Sequence, residues 1–193
     1  MAFVVVHLAN HLASLLGVNT HIAFMRTART VYRHPIAETV LLVSVAIQVV
    51  SGITLVVKGW RGRRGRVAWL QAVSGAYLAM FLLAHVIAVL AGRVIFGLDT
   101  NFFFAAAGLH VPPYQLFFAP YYFFAVWAIF VHIACALQHH AQWHPRTRNM
   151  VLLTMTTGGG VVAALLVMSL AGWIAPFEVP SEYKAIYPSF VRP

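Results

Sequence analysis

Long apolar runs, separated by short basic or polar stretches, dominate the chain. Four of them extend over about 20 residues or more, at 36–57, 67–92, 113–138 and 150–175. At a rise of about 1.5 Å per residue, a helix of about 20 residues crosses a hydrocarbon core of about 30 Å. A shorter apolar run at 1–17 predicts a partial fifth span. The pattern therefore predicts an all-α protein: a polytopic transmembrane helical bundle of about five spans, forming one membrane domain.

A more polar segment separates the first two apolar runs. Four of its residues recur at helical spacing: Ile22, Met25, Arg26 and Arg29. This mixture of apolar and basic positions predicts a short interfacial helix at about residues 19–34.

The first apolar run begins close to Met1. A chain start there would place an ammonium group inside the bilayer, which costs at least a few kcal/mol. We therefore expect either a segment upstream of Met1, which we favour, or a first helix that crosses only half of the bilayer.

Charged residues are scarce, and their placement predicts an orientation. The net charge is +9 with only 9% charged residues, and the mean hydropathy is +0.81. The basic residues concentrate in loops, notably at 58–66 and 139–149. Cytoplasmic loops and anionic lipid headgroups fit this placement better than nucleic acid does. We expect an integral protein of a bacterial inner membrane, with both loops cytoplasmic and the loop at 93–112 on the outer side.

Histidines lie at membrane depth in three spans: His7, His85 and His132. A histidine at that depth faces the bundle interior and needs a polar partner or a metal. The plainer alternative for each is a hydrogen bond to a neighbouring helix, which contributes only about 0.6 kcal/mol on average in a membrane.

Counting from the span ends sorts the polar side chains into two levels. His7 and His85 fall in the outer half of the bilayer, and His132 and Gln48 fall in the inner half. Two imidazoles on facing helices at one depth can ligate a haem iron axially. The outer level therefore predicts a haem b whose iron is held by His7 and His85. Small residues that would leave room for it, or serve only close helix packing, are Ser74, Gly75, Ala79, Ser51 and Gly52.

Other histidines compete for these roles. His11 lies one helical turn after His7 and is an alternative ligand, but we prefer His7 because His11 is nearer the outer interface. Histidines in outer-side segments are predicted to be wet surface residues, with His110 also placed to cover a haem edge; they are His21, His34 and His110.

One further histidine pair has metal-site spacing. His140 and His144 lie at i, i+4, which suits zinc on a helix. Because no carboxylate or cysteine accompanies them, an interfacial cluster is the favoured interpretation.

Groups for enzyme catalysis are scarce in the spans. Glu38 is the only carboxylate near one, and Cys135 is the only cysteine, so neither a carboxylate pair nor an iron–sulfur cluster site is present in the sequence. We expect at most a non-catalytic anchor or electron-transfer subunit, with substrate oxidation on a partner. The tyrosines of the aromatic run at 114–127 are candidates for a quinone pocket.

Four stretches of the chain resemble one known family. "FVVVHLANHL", "SGAYLAMFLLAHV" and "YYFFAVWAIFVHIACAL" resemble helices one, three and four of the single-chain, five-helix cytochrome b subunits of succinate dehydrogenase and fumarate reductase. "RHPIAETVLLVSVAIQVVSGITL" resembles their second helix, so that the resemblance covers about 140 residues. It implies a membrane anchor for a flavoprotein and an iron–sulfur subunit at the cytoplasmic face, exchanging electrons with quinone through haem b.

The sequence departs from this family at one site. The two-haem members use one histidine from each of the first four helices. By motif position, His7 and His85 would ligate the outer haem and His132 would be half of the inner pair, but Gln48 occupies the expected place of its partner. Because glutamine is a poor iron ligand, one haem is expected and a second stays open. His132 and Gln48 would then hydrogen-bond each other or a quinone.

This departure leaves other functions open. Without an inner haem, an electron from a cytoplasmic iron–sulfur partner meets a long gap, which is typical of a divergent relative rather than a standard succinate dehydrogenase anchor. A non-redox accessory or assembly protein, whose histidines only make interhelical hydrogen bonds, is one alternative. A small-molecule or metal transporter without haem is the other.

Overall fold

The structure is a computed structural model, which describes residues 2–140 and 143–188. No strand occurs in these ranges, and the predicted all-α class is confirmed. The helices are α1 Ala2–Ala13, α2 Val18–Tyr32, α3 Pro35–Gly59, α4 Arg66–Val94, α5 Phe102–Ala106, α6 Gln115–His140, α7 Pro145–Leu170 and α8 Ser181–Lys184.

Four helices, α3, α4, α6 and α7, are long and apolar enough to cross a membrane. The first helix and its following 3-10 turn, Ala2–Leu16, are apolar but shorter. The transmembrane helical architecture is therefore confirmed, and the predicted number of about five spans is compatible with it. The interfacial helix predicted at 19–34 corresponds to α2.

The last long helix lies about five residues earlier than its predicted span at 150–175. It begins at Pro145. Proline is favoured at the first helical position because an N–H there would have no hydrogen-bond acceptor within the helix. It ends in a Schellman motif, in which Trp173 N donates to Met168 O at 2.9 Å and Gly172 N donates to Ser169 O at 3.1 Å. Gly172 adopts φ +75°, which terminates the helix although the apolar run continues.

Two compact units can be distinguished by their contacts. The first contains residues 2–42, 86–121 and 165–188 of the described chain, and the second contains Val43–His85 and Tyr122–Ala164. The four long helices each contribute to both units, which are described separately below.

In the first unit, α2 is tied to the segment that precedes α5. Arg29 donates to Asp99 Oδ1 at 2.7 Å and to Thr100 O at 2.9 Å, and Arg33 donates to Thr100 Oγ1 at 3.0 Å. Asn101 Oδ1 caps α5 by accepting from Phe103 N at 2.9 Å. The loop predicted at 93–112 is therefore an ordered segment that contains a capped helix.

The first unit also contains an ion pair between Glu38 and Arg93. Glu38 lies in the first turn of α3 and Arg93 in the last turn of α4. Each side chain therefore has the sign that the dipole of its own helix favours. The pair fixes neighbouring ends of two membrane-spanning helices.

In the second unit, α6 and α7 pack closely. Trp127 Nε1 donates to Thr156 O at 2.9 Å. Gly159 lies against Phe130, so that a Cβ on Gly159 would stand 2.6 Å from the Phe130 Cγ and still nearer to its Cβ. These atoms lie close to the α6 backbone and cannot swing away.

We therefore expect Gly159→Ala to destabilise the protein by about 1–3 kcal/mol, the usual cost of overpacking. The neighbouring Gly158 is the matched control, because a Cβ there meets nothing within 4 Å. Gly158→Ala should be neutral or stabilising by up to about 1 kcal/mol, since alanine is the better helix former. Thermal unfolding in detergent micelles measures both. Equal stability of the two variants would contradict this packing of α6 against α7.

Candidate functional site

His132, on α6 in the second unit, is held by two groups of α4. Its Nδ1 lies 3.2 Å from Gln71 O and 3.2 Å from Ser74 Oγ. A carbonyl oxygen only accepts, and the Ser74 hydroxyl already donates to Leu70 O at 2.7 Å. Both contacts therefore require a proton on Nδ1. In the neutral imidazole, Nε2 then carries the lone pair.

This orientation is the one that metal-ligating histidines adopt. Such histidines usually donate their other ring N–H to a carboxylate, a backbone carbonyl or water, which fixes the tautomer and the ring. Nε2 of His132 makes no hydrogen bond within the described chain. It is available as an iron ligand or as an acceptor for a hydroxyl group.

The predicted small residues Ser74 and Gly75 lie beside His132. A Cβ on Gly75 would stand 3.0 Å from the His132 Cε1 and 3.3 Å from its Nδ1. The absence of a side chain at Gly75 therefore lets the imidazole approach α4, where Ser74 hydrogen-bonds it. The structure brings these three predicted site residues together.

His85 lies further along α4, also in the second unit. Its ring stacks on Phe81, with centroids 5.2 Å apart and planes inclined by 12°, and the residue is half-buried. Gly75, which contacts His132, precedes His85 by ten residues, or about 15 Å along the helix. His132 therefore contacts α4 at a different height from His85, and the depth of each in a bilayer stays a prediction.

Gln48 is exposed on α3. Val49 is the one buried residue of that helix, which is described throughout. The Gln48 amide makes no hydrogen bond to His132 among the described residues, where the His132 ring bonds only to α4. Of the two alternatives for this pair, a mutual hydrogen bond is therefore not formed, and binding of a quinone stays a prediction.

In the first unit, three histidines lie side by side. His7 stacks on Phe3 at a centroid distance of 5.5 Å and meets the His11 ring edge-on at 4.8 Å. The His11 ring lies 5.3 Å from that of His21 on α2. The structure thus places both candidate outer ligands, His7 and His11, in one histidine cluster.

His21 is not the wet surface residue that the sequence predicted. It is only 2% exposed, and Asn10 Nδ2 donates to its Nε2 at 3.2 Å. Burial, and secondly the charge of Arg29, lower the pKa of His21 from 6.5 to about 4. Its Nδ1 and the Asn10 Oδ1 are buried without a hydrogen-bond partner among the described residues.

The prediction of a wet surface position for His21 is wrong because this residue lies on the buried face of α2. His21 and Met25 are the buried residues of this helix. The i, i+4 spacing of His21 and Met25 was the available signal.

The remaining histidines have mixed outcomes. His34 is exposed, as predicted. His110 is instead half-buried: its Nε2 donates to Leu170 O at 2.9 Å, and its ring lies 5.0 Å from that of Phe177. It satisfies a carbonyl at the end of α7 that the helix itself leaves free.

No group of three or more histidine, cysteine, aspartate or glutamate side chains is arranged to hold a metal ion within the described ranges. His144 is exposed, and the side chain of its predicted partner His140 lies outside the described part. The zinc hypothesis for this pair stays a prediction.

His7 belongs to the first unit and His85 to the second, and their pairing on one iron stays a prediction. No protein-family profile, curated protein or solved structure matches this chain.

Proposed function

We propose that this chain is a haem b-binding membrane subunit of a quinone-linked electron-transfer complex. The observation that carries the proposal is the orientation of His132: a histidine at span depth, with Nδ1 held by a backbone carbonyl and Nε2 free. The Nδ1 contacts join α6 to α4, and Nε2 stays available for a ligand. The other histidines at span depth, His7 and His85, supply the imidazoles for one haem.

The residues fit one haem better than two. His7 and His85 are half-buried histidines on apolar helices, and an imidazole is an ordinary axial ligand of haem iron. Gln48 offers only an exposed amide where an inner ligand would be needed. When bound, haem b supplies one-electron transfer, and this chain's residues hold it and shield it from water.

His132 and Gln48 are assigned to quinone. Nε2 of His132 accepts a hydrogen bond from a quinol hydroxyl, and the Gln48 amide donates to a quinone carbonyl. The proposed partners are a flavoprotein and an iron–sulfur subunit on the cytoplasmic side. That side is assigned from the basic loops at 58–66 and 139–149 by the positive-inside rule. A single haem at the His85 level leaves a long gap to this side, which favours a divergent complex over a standard succinate dehydrogenase.

A difference spectrum tests this function. Membranes containing the chain are reduced with a quinol and, separately, with dithionite. We expect b-type haem bands in both reduced-minus-oxidised spectra. Bands that appear only with dithionite would show that haem is bound but would contradict the quinone assignment. If no bands appear in cells with ample haem, the whole proposal is contradicted.

One competing function is favoured by the same contact. The bonds from His132 to Gln71 and Ser74 join α6 to α4 and would serve equally in a non-redox accessory or assembly protein. In such a protein, His132→Asn would retain an interhelical hydrogen bond, and the stability and function of the protein would be unchanged. In the haem protein, it would abolish reduction by quinol while leaving the dithionite spectrum unchanged.

A further inference from the structure

The turn between α3 and α4 is built around Arg63. Its guanidinium carbon lies 5.8 Å from the centroid of the Trp60 ring and 5.7 Å from that of Trp69. The two indoles meet edge-on, with centroids 4.9 Å apart. Arg63 therefore joins a residue at the end of α3 to one in the first turns of α4 by cation–π contacts.

Arg63 is also bonded to the end of α3. It donates to Leu55 O at 3.4 Å and to Val56 O at 3.3 Å, carbonyls near the C-terminal end of the helix. A Cβ on Gly59 would stand 3.0 Å from its Nη2, so this glycine leaves room for the guanidinium. Arg63 is thus an internal brace of the turn, and its charge is used within the chain.

The other cations of the turn are not used in this way. They are exposed and have no hydrogen-bond or ion-pair partner among the described residues; they are Lys58, Arg61, Arg64 and Arg66. The whole second unit contains no acidic residue, because the four carboxylates of the chain belong to the first unit; they are Glu38, Asp99, Glu178 and Glu182. The positive field of this turn is therefore not neutralised within its own unit.

The surroundings of the turn are those of a membrane surface. Trp60 is 52% exposed and Trp69 is 38% exposed, and they stand where two membrane-spanning helices end. Tryptophan is enriched at the headgroup level, because its ring is apolar and its N–H polar. The adjoining turns of α3 expose apolar side chains, among them Leu55 and Val57. In a bilayer, exposed cations at this level would stand beside lipid phosphates.

We propose that the α3–α4 turn is a binding site for anionic phospholipid headgroups, with Arg61 and Arg64 as its principal phosphate contacts. Trp60 and Trp69 anchor the turn at the interface, and Arg63 holds its shape. The charge complementarity selects an anionic lipid over a zwitterionic one. This site is independent of haem and of the proposed electron transfer.

Native mass spectrometry tests the site on the delipidated full-length protein in detergent. The protein is mixed with equal amounts of phosphatidylglycerol and phosphatidylcholine, and the ratio of the two lipid-bound forms is measured. The wild type should favour phosphatidylglycerol. Each cation next to an anionic membrane surface strengthens binding about fivefold, so Arg61→Gln with Arg64→Gln should lower the ratio about 5- to 25-fold.

Two control variants make this result specific. Arg26→Gln with Lys184→Gln removes the same charge from two exposed positions outside both basic loops and should leave the ratio within about twofold. Arg61→Lys with Arg64→Lys keeps the charge and should keep the preference. A wild-type ratio near one, or an equal loss in the matched control, would overturn the site.

Discussion

Replacing His85 by alanine is expected to abolish haem binding. His85 is the only histidine of α4, and a methyl group cannot ligate iron. Phe81, which stacks on the His85 ring, would remain in the variant. The site would then keep an apolar surface but lose its iron ligand on α4. Haem content, measured from the pyridine haemochrome spectrum of the purified variant, should fall to background.

Gln48→Ala is the matched control for this result. Gln48 also lies at membrane depth in the second unit, but its amide is exposed and has no role in the outer haem. This variant should keep the haem content of the wild type. Loss of haem in Gln48→Ala, or retention in His85→Ala with a native circular dichroism spectrum, would contradict the ligand assignment.

Acidification from pH 6.5 to pH 4 is expected to destabilise the first unit through His21. The folded chain holds the pKa of this residue at about 4, whereas an unfolded histidine has its ordinary value of 6.5. Above pH 6.5, His21 is neutral in both the folded and the unfolded chain, and its burial causes no loss of stability. Between the two pKa values, only the unfolded state binds the proton, so stability falls as the pH falls. The loss reaches at most about 3 kcal/mol near pH 4, where it levels off.

The pH dependence of thermal unfolding measures this effect. The polar and charged groups that face His21 are Asn10, the His11 ring and Arg29. His21→Gln can keep a hydrogen bond to Asn10 without titrating, and it should flatten the fall of the unfolding temperature between pH 6.5 and pH 4. The exposed His34 supplies the control, because His34→Gln should leave the fall unchanged. An unaltered pH profile in His21→Gln would contradict the burial of a neutral imidazole.

The spans could be predicted from the sequence because length and apolarity alone decide whether a helix crosses a bilayer. The ends of α7 could not, because they depend on caps. Pro145 extends the helix into polar sequence, and the φ of Gly172 ends it within an apolar run. A hydropathy pattern contains neither signal.

For the candidate site, the sequence predicts a depth for each residue but not the contacts that the structure shows. The sequence predicts the level of His132 from its distance to the span end. Its bonds to Gln71 and Ser74 depend on the rotation of α6 about its axis relative to α4. Because both helices carry apolar residues on every face, the sequence pattern does not specify this rotation. The burial of His21 likewise depends on Asn10, eleven residues earlier on another helix. The level of Gln48 stays a prediction, and only the structure showed this residue to be exposed.

The number of haems per polypeptide in the detergent-purified wild type tests the central claim most directly. A pyridine haemochrome spectrum, combined with a protein assay, gives this ratio. We predict a ratio of about one, with the haem at the level of His7 and His85 and none at the level of Gln48. A ratio of about two would show that the inner ligands are misassigned. No haem, in cells with an ample supply of it, would contradict the electron-transfer function.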